Sequence, residues 1–374
     1  MNIGIDFTSV IYKRGVSRYT MNLARELANL PEVNLTLFGY SLRQKKQLQL
    51  QANKIPAARS KFIQLPTTAI EKLWHFGVKP VSSYIPNMDI FHSWDWIQPP
   101  DKNIPIVSTI HDLAMIKFPE TAHPKILNAH ERSWAKLREN NSHIITVSQS
   151  TKRDVVRLLG YPSYMVHVVH EAIPEEFLIA ADSITQEDED IIINNLTLNR
   201  PYIFFVGTRE PRKNLLRLIQ AWQELAGEYD LIIAGDQGWD QTDKDAEQFK
   251  HQPRFLGRVT DKELSVLYAN AQVFAFPSLY EGFGLPILES FHHGTPVVTS
   301  DNSGMIEVAG NAAEFVNPES VESITKGLKK ILNENSDEQK KRLQRMIIRQ
   351  QMFNWKTTAR ETLSVYKQAI QDFT

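Results

Sequence analysis

The stretch Ser278-Leu279-Tyr280-Glu281-Gly282-Phe283-Gly284-Leu285-Pro286-Ile287-Leu288-Glu289-Ser290 constrains this chain most. It follows Val273-Phe274-Ala275-Phe276, an apolar run that predicts a buried parallel strand. Pro286 suits the first position of a helix, where its missing N–H would be an orphan anyway. Gly294 suits the residue just past that helix, and Thr295-Pro296 cannot continue it. Val297-Val298 then begins another strand. The local prediction is strand, glycine loop, short helix, strand. Gly282 and Gly284 leave backbone N–H groups uncovered at a helix N-terminus, an arrangement that binds phosphate.

Two carboxylates bracket that loop. Glu281 opens it and Glu289 sits one turn into the helix. Either would repel a diphosphate if it pointed at one. Each therefore suits accepting hydrogen bonds from hydroxyl groups on either side of the phosphates, a sugar on one side and a ribose on the other. An exposed loop glutamate and a surface helix glutamate would give the same spacing.

The chain has 374 residues, 42% hydrophobic and 23% charged, which suggests two soluble domains, each long enough for its own core. There is no cysteine, so disulfides and thiolate zinc sites are excluded. Residues 1–6 read as an immediate strand rather than a signal peptide. No apolar run approaches the ~18 residues that span a bilayer. A cytoplasmic protein is expected. Residues 1–85 carry 12 Lys and Arg against 4 Asp and Glu, although the whole chain has a net charge of −1. Such a basic quarter suits an anionic partner or a plain solvated face. From Arg43 to Lys61 there are six cations and no acid, and Trp74, Phe76 and Tyr84 follow. Two readings stay open for residues 43–85: peripheral contact with an anionic membrane at its inner face, or a surface helix with internal aromatics. Nucleic-acid binding rests on this basic quarter alone and is not favoured.

Taken in order, the first half predicts strands at 3–7, 33–38, 88–92, 106–110, 144–147 and 166–169, with a helix at 123–140. After the first strand, Tyr12-Lys13-Arg14-Gly15-Val16-Ser17-Arg18-Tyr19 forms a βα turn with one glycine, short of the three of a dinucleotide fingerprint. Gly15 could still lie close to a phosphate. Trp94 and Asp95 end one strand, and His111, Asp112 and Leu113 end the next. Ligands of parallel α/β sheets bind at such carboxyl ends, so these residues sit where chemistry would be placed. A hydrogen-bonded structural histidine is the alternative for His111.

The acidic segment 180–200 reads as the link between halves. The second half restarts with a strand at 202–206, then Gly207-Thr208-Arg209-Glu210-Pro211-Arg212-Lys213-Asn214. Clustered cations at a strand end would neutralise a diphosphate. Strands follow at 231–234 and around 254–259, and Asp261 is expected to cap a helix. Asp188-Glu189-Asp190 and Asp243-Lys244-Asp245 spell D-x-D, but both lie in acidic surface-like stretches, and no metal site is assigned.

These residues resemble a known family. Tyr280 to Pro286, through Glu289, is similar to the E-x7-E loop of retaining glycosyltransferases of family four, which have the GT-B fold. Residues 207–214 resemble that family's cation-bearing loop. Thr109-Ile110-His111-Asp112-Leu113 and Ile145-Thr146-Val147-Ser148 resemble its first-domain strand ends. The resemblance implies an α/β chain of two Rossmann-like domains with parallel sheets facing across a cleft. An acceptor-binding domain would span 1–180, with a last helix at 357–373 packing back on it. A donor-binding domain would span 198–355. It also implies roles. Lys213 and Arg212 would hold the donor's diphosphate, with Thr208 beside them. The backbone at Gly282, Phe283, Gly284 and Leu285 would touch the phosphates or the sugar. Glu281 would hold the sugar's hydroxyls and Glu289 the ribose. His111, beside Asp112, would contact the sugar, Gly15 would approach the diphosphate, and Phe255 to Val259 would line the base. One departure concerns the family's glycine-rich turn, which here keeps only Gly15, with Arg14 as a replacement cation.

The implied reaction moves a hexose from a nucleoside-diphosphate sugar to a hydroxyl of a glycan or lipid-linked acceptor, with retention and without cofactor or metal. Mannose from a guanosine donor is favoured over glucose from a uridine donor. A sugar-nucleotide epimerase, a phosphorylase or a non-catalytic nucleotide-sugar binding module are the alternatives, because fold alone does not fix function.

Overall fold

The computed structural model describes residues 1–12, 15–119, 124–238 and 246–373. The chain divides into two compact units. The first comprises Met1–Pro174 with Asn354–Thr374, and the second Glu175–Phe353.

In the first unit, seven strands form one sheet: β1 (Asn2–Asp6), β2 (Asn34–Tyr40), β3 (Arg59–Ile63), β4 (Ile90–Trp94), β5 (Ile106–Ile110), β6 (His143–Thr146) and β7 (Val166–Val168). Their order is β3-β2-β1-β4-β5-β6-β7, and every pairing is parallel. β5 and β6 are buried along their whole length, as parallel strands covered on both faces must be. β3 falls inside the basic stretch and was not foreseen. It is an edge strand whose Arg59, Ser60 and Lys61 face solvent, so it lacks the apolar run of a central strand, and its charges protect the open edge.

Two of the three aromatics after the basic stretch are internal. Trp74 is buried, stacks on Phe38 at 6.4 Å, and donates its indole N–H to Lys79 O at 3.1 Å. Tyr84 packs 5.8 Å from Phe38. Phe76 is 75% exposed, in the run His75–Lys79 that is exposed throughout. No helix among the described residues is long and apolar enough to cross a membrane.

The last helix, Trp355–Phe373, packs on the helix Gly15–Ala28 and against β5 and β6. Its residues Ala359, Leu363 and Tyr366 follow helical spacing and are buried. Trp355 Nε1 donates to Ile173 O at 2.9 Å and Thr358 Oγ1 to His170 O at 2.7 Å, which ties the start of this helix to the chain leaving β7.

The second unit repeats the pattern with β8 (Tyr202–Val206), β9 (Asp230–Ala234), β10 (Arg254–Gly257), β11 (Val273–Phe276), β12 (Val297–Ser300) and β13 (Glu314–Val316). The order is β10-β9-β8-β11-β12-β13, again parallel throughout. In both sheets the order reverses beside the unit's first strand, between β1 and β4 and between β8 and β11. Loops leaving the carboxyl ends at such a switch point diverge and open a crevice.

The acidic segment belongs to the second unit. Helices Glu175–Asp182 and Gln186–Asn195 pack on the helix Asp261–Ala269. Lys262 Nζ pairs with Asp188 at 3.2 Å, and Asn270 donates to Glu189 at 2.8 Å. Asp188 also closes a capping box with Thr185. Thr260, not Asp261, caps the helix Asp261–Ala269, with Glu263 reaching back to it. The stretch Asp243-Lys244-Asp245 and the cation Arg14 lie outside the described residues.

Candidate active site

At the switch point of the second sheet, the loops after β8 and β11 are tied together. Pro211–Lys213 makes one turn of 3-10 helix, and Asn214 then adopts a left-handed conformation, φ 59°. Its buried side chain donates to Pro277 O at 2.9 Å and Pro318 O at 2.7 Å. Leu279 N donates to Arg212 O at 2.8 Å. These bonds place Arg212 and Lys213 directly opposite Glu281.

Glu281 is 8% exposed. Its Oε1 accepts from Lys213 Nζ at 2.7 Å and its Oε2 from Arg212 Nη1 at 2.8 Å. Burial alone would favour the neutral acid, but Arg212 and Lys213 outweigh it and hold the carboxyl down to about 2. Its backbone is held as well: Glu281 N donates to Ser303 Oγ at 3.1 Å, and Gly304 N to Glu281 O at 3.1 Å. Gly304 permits this approach, since a Cβ there would lie 2.3 Å from Gly282 O.

Arg212 stands differently from the sequence expectation. Its Nη1 also donates to Tyr280 O at 2.6 Å, and its Nη2 to Glu210 Oε1 at 2.5 Å. The guanidinium thus sits between two carboxylates and braces Glu281. Lys213, a three-donor ammonium that also lies 5.1 Å from the Phe276 ring, is the cation better suited to meeting an anion.

The glycine loop leads into the helix Leu285–His292 as expected. Gly284 has φ 124°, Pro286 lies in the first turn, and Gly294 follows the end with φ 72°. Phe283 turns its ring inward against Phe353 at 5.5 Å, so only its backbone borders the loop. Glu289 is buried at 7% exposure and is no surface glutamate. Its Oε2 accepts from Tyr268 Oη at 3.0 Å. Phe255 lies under the Arg209 guanidinium at 4.9 Å, while Thr208 is exposed and Val259 half-buried.

In the first unit, His111 follows β5 with its ring edge-on to Tyr19 at 4.6 Å. Burial outweighs Asp95 and Asp112 and lowers its pKa, so it is a neutral imidazole at pH 7. Asp112 is partly committed locally, accepting from Ala114 N at 2.8 Å. Behind His111 runs a buried chain. Tyr19 Oη lies 3.1 Å from Thr109 Oγ1, His92 Nε2 lies 2.9 Å from the same oxygen, and His92 Nδ1 lies 2.6 Å from Tyr366 Oη. Asp6, Tyr19, His92, Trp94, Asp95 and His111 line one cavity at this unit's switch point. Gly15 is the first residue of its helix, and a Cβ there would meet nothing within 4 Å, so its own packing does not require glycine.

The sequence reading gave no role to Glu210, Tyr268, Ser303 and Gly304 in one unit, or to Tyr19, His92 and Tyr366 in the other. Gly304, after the strand at β12, carried the one available signal, a glycine in a Ser/Asn/Asp-rich turn.

Residues 13–177 match the model of Glycosyltransferase Family 4, and residues 186–350 that of Glycosyl transferases group 1. O-antigen chain mannosyltransferase B of Escherichia coli is 28% identical over 378 residues, covering 94% of this chain and 96% of that protein. O-antigen chain mannosyltransferase RfbU of Salmonella typhimurium is 27% identical over 229 residues, 60% of each. Among solved structures, a glycosyltransferase from Rickettsia africae matches with TM-score 0.75 at 14% identity over 99% of both chains. Anabaena HepE, solved with UDP and glucose, matches with TM-score 0.71 at 17% identity over 98% of this chain and 100% of that one. The chain is a glycosyltransferase of the family 4 type, with the GT-B fold and a group 1 domain that carries the Glu281 loop.

Proposed function

We propose that this enzyme moves a hexose, mannose in preference to glucose, from a nucleoside-diphosphate sugar to a hydroxyl of a glycan or lipid-linked acceptor, with retention and without a metal. The observation that carries the reading is the buried cluster of Lys213, Arg212 and Glu281 beside the Gly282–Gly284 loop. As the glycosidic bond to phosphate breaks, the sugar becomes oxocarbenium-like and negative charge grows on the leaving oxygen. Lys213 and the N–H groups at the start of the helix Leu285–His292 would stabilise that charge from fixed positions. Arg212 would keep Glu281 ionised and oriented toward the sugar's hydroxyls.

Glu281 suits binding better than nucleophilic attack, because both its oxygens are engaged by cations and its basicity is low. Retention would then follow from attack on the face the phosphate leaves. The acceptor oxygen bonds to the anomeric carbon, its proton passes to the leaving phosphate, and nucleoside diphosphate is released. His111 and Asp112 would accept or donate to sugar hydroxyls from the first unit, and Glu289 would take the ribose. Mannose is favoured by the relatives' names, and UDP in the HepE structure makes a uridine donor the next to try.

A donor panel tests this. Turnover of GDP-mannose or UDP-glucose in the presence of chelator, with an α-linked product from an α-linked donor, is expected. Turnover that needs added divalent metal, or inversion of the anomeric centre, would refute those parts of the reading. The exposed run His75–Lys79, with Phe76 and Val78 beside Lys79, supports peripheral contact with an anionic membrane within residues 43–85.

A further inference from the structure

We propose that Tyr268 is the positioning residue that sets the orientation of the Glu289 carboxylate and thereby the enzyme's preference for a donor with ribose hydroxyls. This rests on the reading of Glu289 as the ribose-binding group.

Glu289 hangs from its helix by three rotatable bonds, and an unanchored glutamate there would sample several rotamers. Tyr268 limits that freedom by donating its hydroxyl to Oε2 at 3.0 Å, which holds that oxygen at one point. The donor is itself immobile. Tyr268 is fully buried, with Phe204 and Phe274 each at 5.1 Å edge-on, Phe177 at 6.4 Å, and His293 stacked parallel at 6.1 Å. Its backbone oxygen accepts from Thr295 Oγ1 at 2.6 Å, which fixes the end of its helix against the turn after Gly294.

The chemistry of the donor matters as much as its rigidity. Burial and the neighbouring Glu289 keep the phenol protonated far above neutral pH. A neutral O–H orients the carboxylate without cancelling its charge, as a lysine or arginine would. An oriented, charged acceptor is what discriminates a vicinal diol from an analogue that lacks it, because the analogue leaves a buried acceptor unpaired. At Glu281 two cations brace the carboxylate, whereas the Tyr268 contact to Glu289 comes from a phenol.

The test compares calorimetric affinities of the full-length protein for GDP and UDP with those for their 2′,3′-dideoxy forms. The unmodified protein should prefer one ribonucleotide over its dideoxy form by about tenfold or more. In Tyr268→Phe, which keeps the aromatic cage, that ratio should fall to about twofold, with affinity for the dideoxy form unchanged. Glu289→Gln should show the same collapse, and the double variant should be no worse than Glu289→Gln alone. An unchanged ratio in Tyr268→Phe, or equal loss of affinity for both forms, would overturn the proposal. A protein that binds ribo and dideoxy forms equally, with Glu289→Gln silent, would remove the ribose role of Glu289 and this inference with it. Binding of neither nucleotide would refute the nucleotide-sugar reading itself.

Discussion

Lys213 Nζ and Glu281 Oε1 meet at 2.7 Å, joining the loop after β8 to the loop after its sheet neighbour β11. Each is at most 13% exposed at the side chain, so the pair is shielded from the solvent screening that makes surface ion pairs nearly worthless. Truncating Glu281 strands the Lys213 charge in a poorly hydrated site, and truncating Lys213 removes the ammonium proposed to meet the phosphate while Arg212 still pairs with Glu281. Lys213→Ala and Glu281→Ala should each lower kcat/KM by about 100-fold or more while the protein stays folded. Near-normal rates in both would end the assignment. The carboxyl of Glu281 is depressed to about 2 from an ordinary 4.5, so its contribution to stability is present above pH 4.5 and is lost as pH falls toward 2. Acid melts of the wild type should show this loss, and Glu281→Gln should lack that component.

Glu171, which follows β7, gives the opposite slope. Burial pushes its carboxyl up to about 8. In the unfolded chain it titrates near 4.5, so the folded state holds the extra proton between those values. Its contribution to stability is present below pH 4.5 and disappears as pH rises to 8, at about 1.4 kcal/mol per pH unit. His92, depressed by burial to about 3, and His167 and His293, depressed to about 4, give the opposite slope, which fades above pH 6.5 as the unfolded histidines lose their protons. In the interval from pH 7 to 8 the difference between wild type and Glu171→Gln therefore isolates Glu171. Thermal stability should fall across it in the wild type and stay flatter in Glu171→Gln. Identical slopes would show that Glu171 is ionised at neutral pH.

Gly304→Ala tests the backbone support of the site. The added methyl would lie 2.3 Å from Gly282 O and 2.9 Å from Phe283 Cα, so the glycine loop or the helix Ser303–Ala309 must shift. Because Gly304 N also holds Glu281 O, the shift displaces the carboxylate. A loss of about 1–3 kcal/mol in stability is expected, with turnover reduced at least tenfold. A fully active, fully stable variant would show that the two segments are not in contact.

Vesicle co-sedimentation tests the proposed membrane contact. Binding to vesicles rich in phosphatidylglycerol at low salt, weakened by salt and absent with neutral lipid, is expected. Phe76→Ser with Lys79→Glu should reduce it several-fold without altering turnover of a soluble acceptor. Failure of the unmodified protein to bind at low salt removes the idea.

Central strands such as β8 and β11 were legible because burial on both faces demands unbroken apolar runs. The helix Leu285–His292 was legible because Pro286 and Gly294 mark its two ends through backbone geometry alone. β3 was not, since an edge strand is selected for polar side chains. The helix Gln186–Asn195 looked like a linker because most of its surface is solvated and its partner, Asp261–Ala269, lies far along the chain. Charges could be counted from sequence but not paired. Nothing in the sequence announced that Arg212 pairs with Glu210, two residues away, and with Glu281. Bonds such as His92 to Tyr366 join residues 274 positions apart, and no local pattern announces them.

The bonds from Trp355 to Ile173 and from Thr358 to His170 have a consequence for how such enzymes diversify. They clasp the outgoing and returning strands of the polypeptide at one spot on the first unit, so everything from 175 to 353 is an insert with neighbouring ends. A cassette joined that way can be exchanged for another, leaving its host's hydrogen bonds intact.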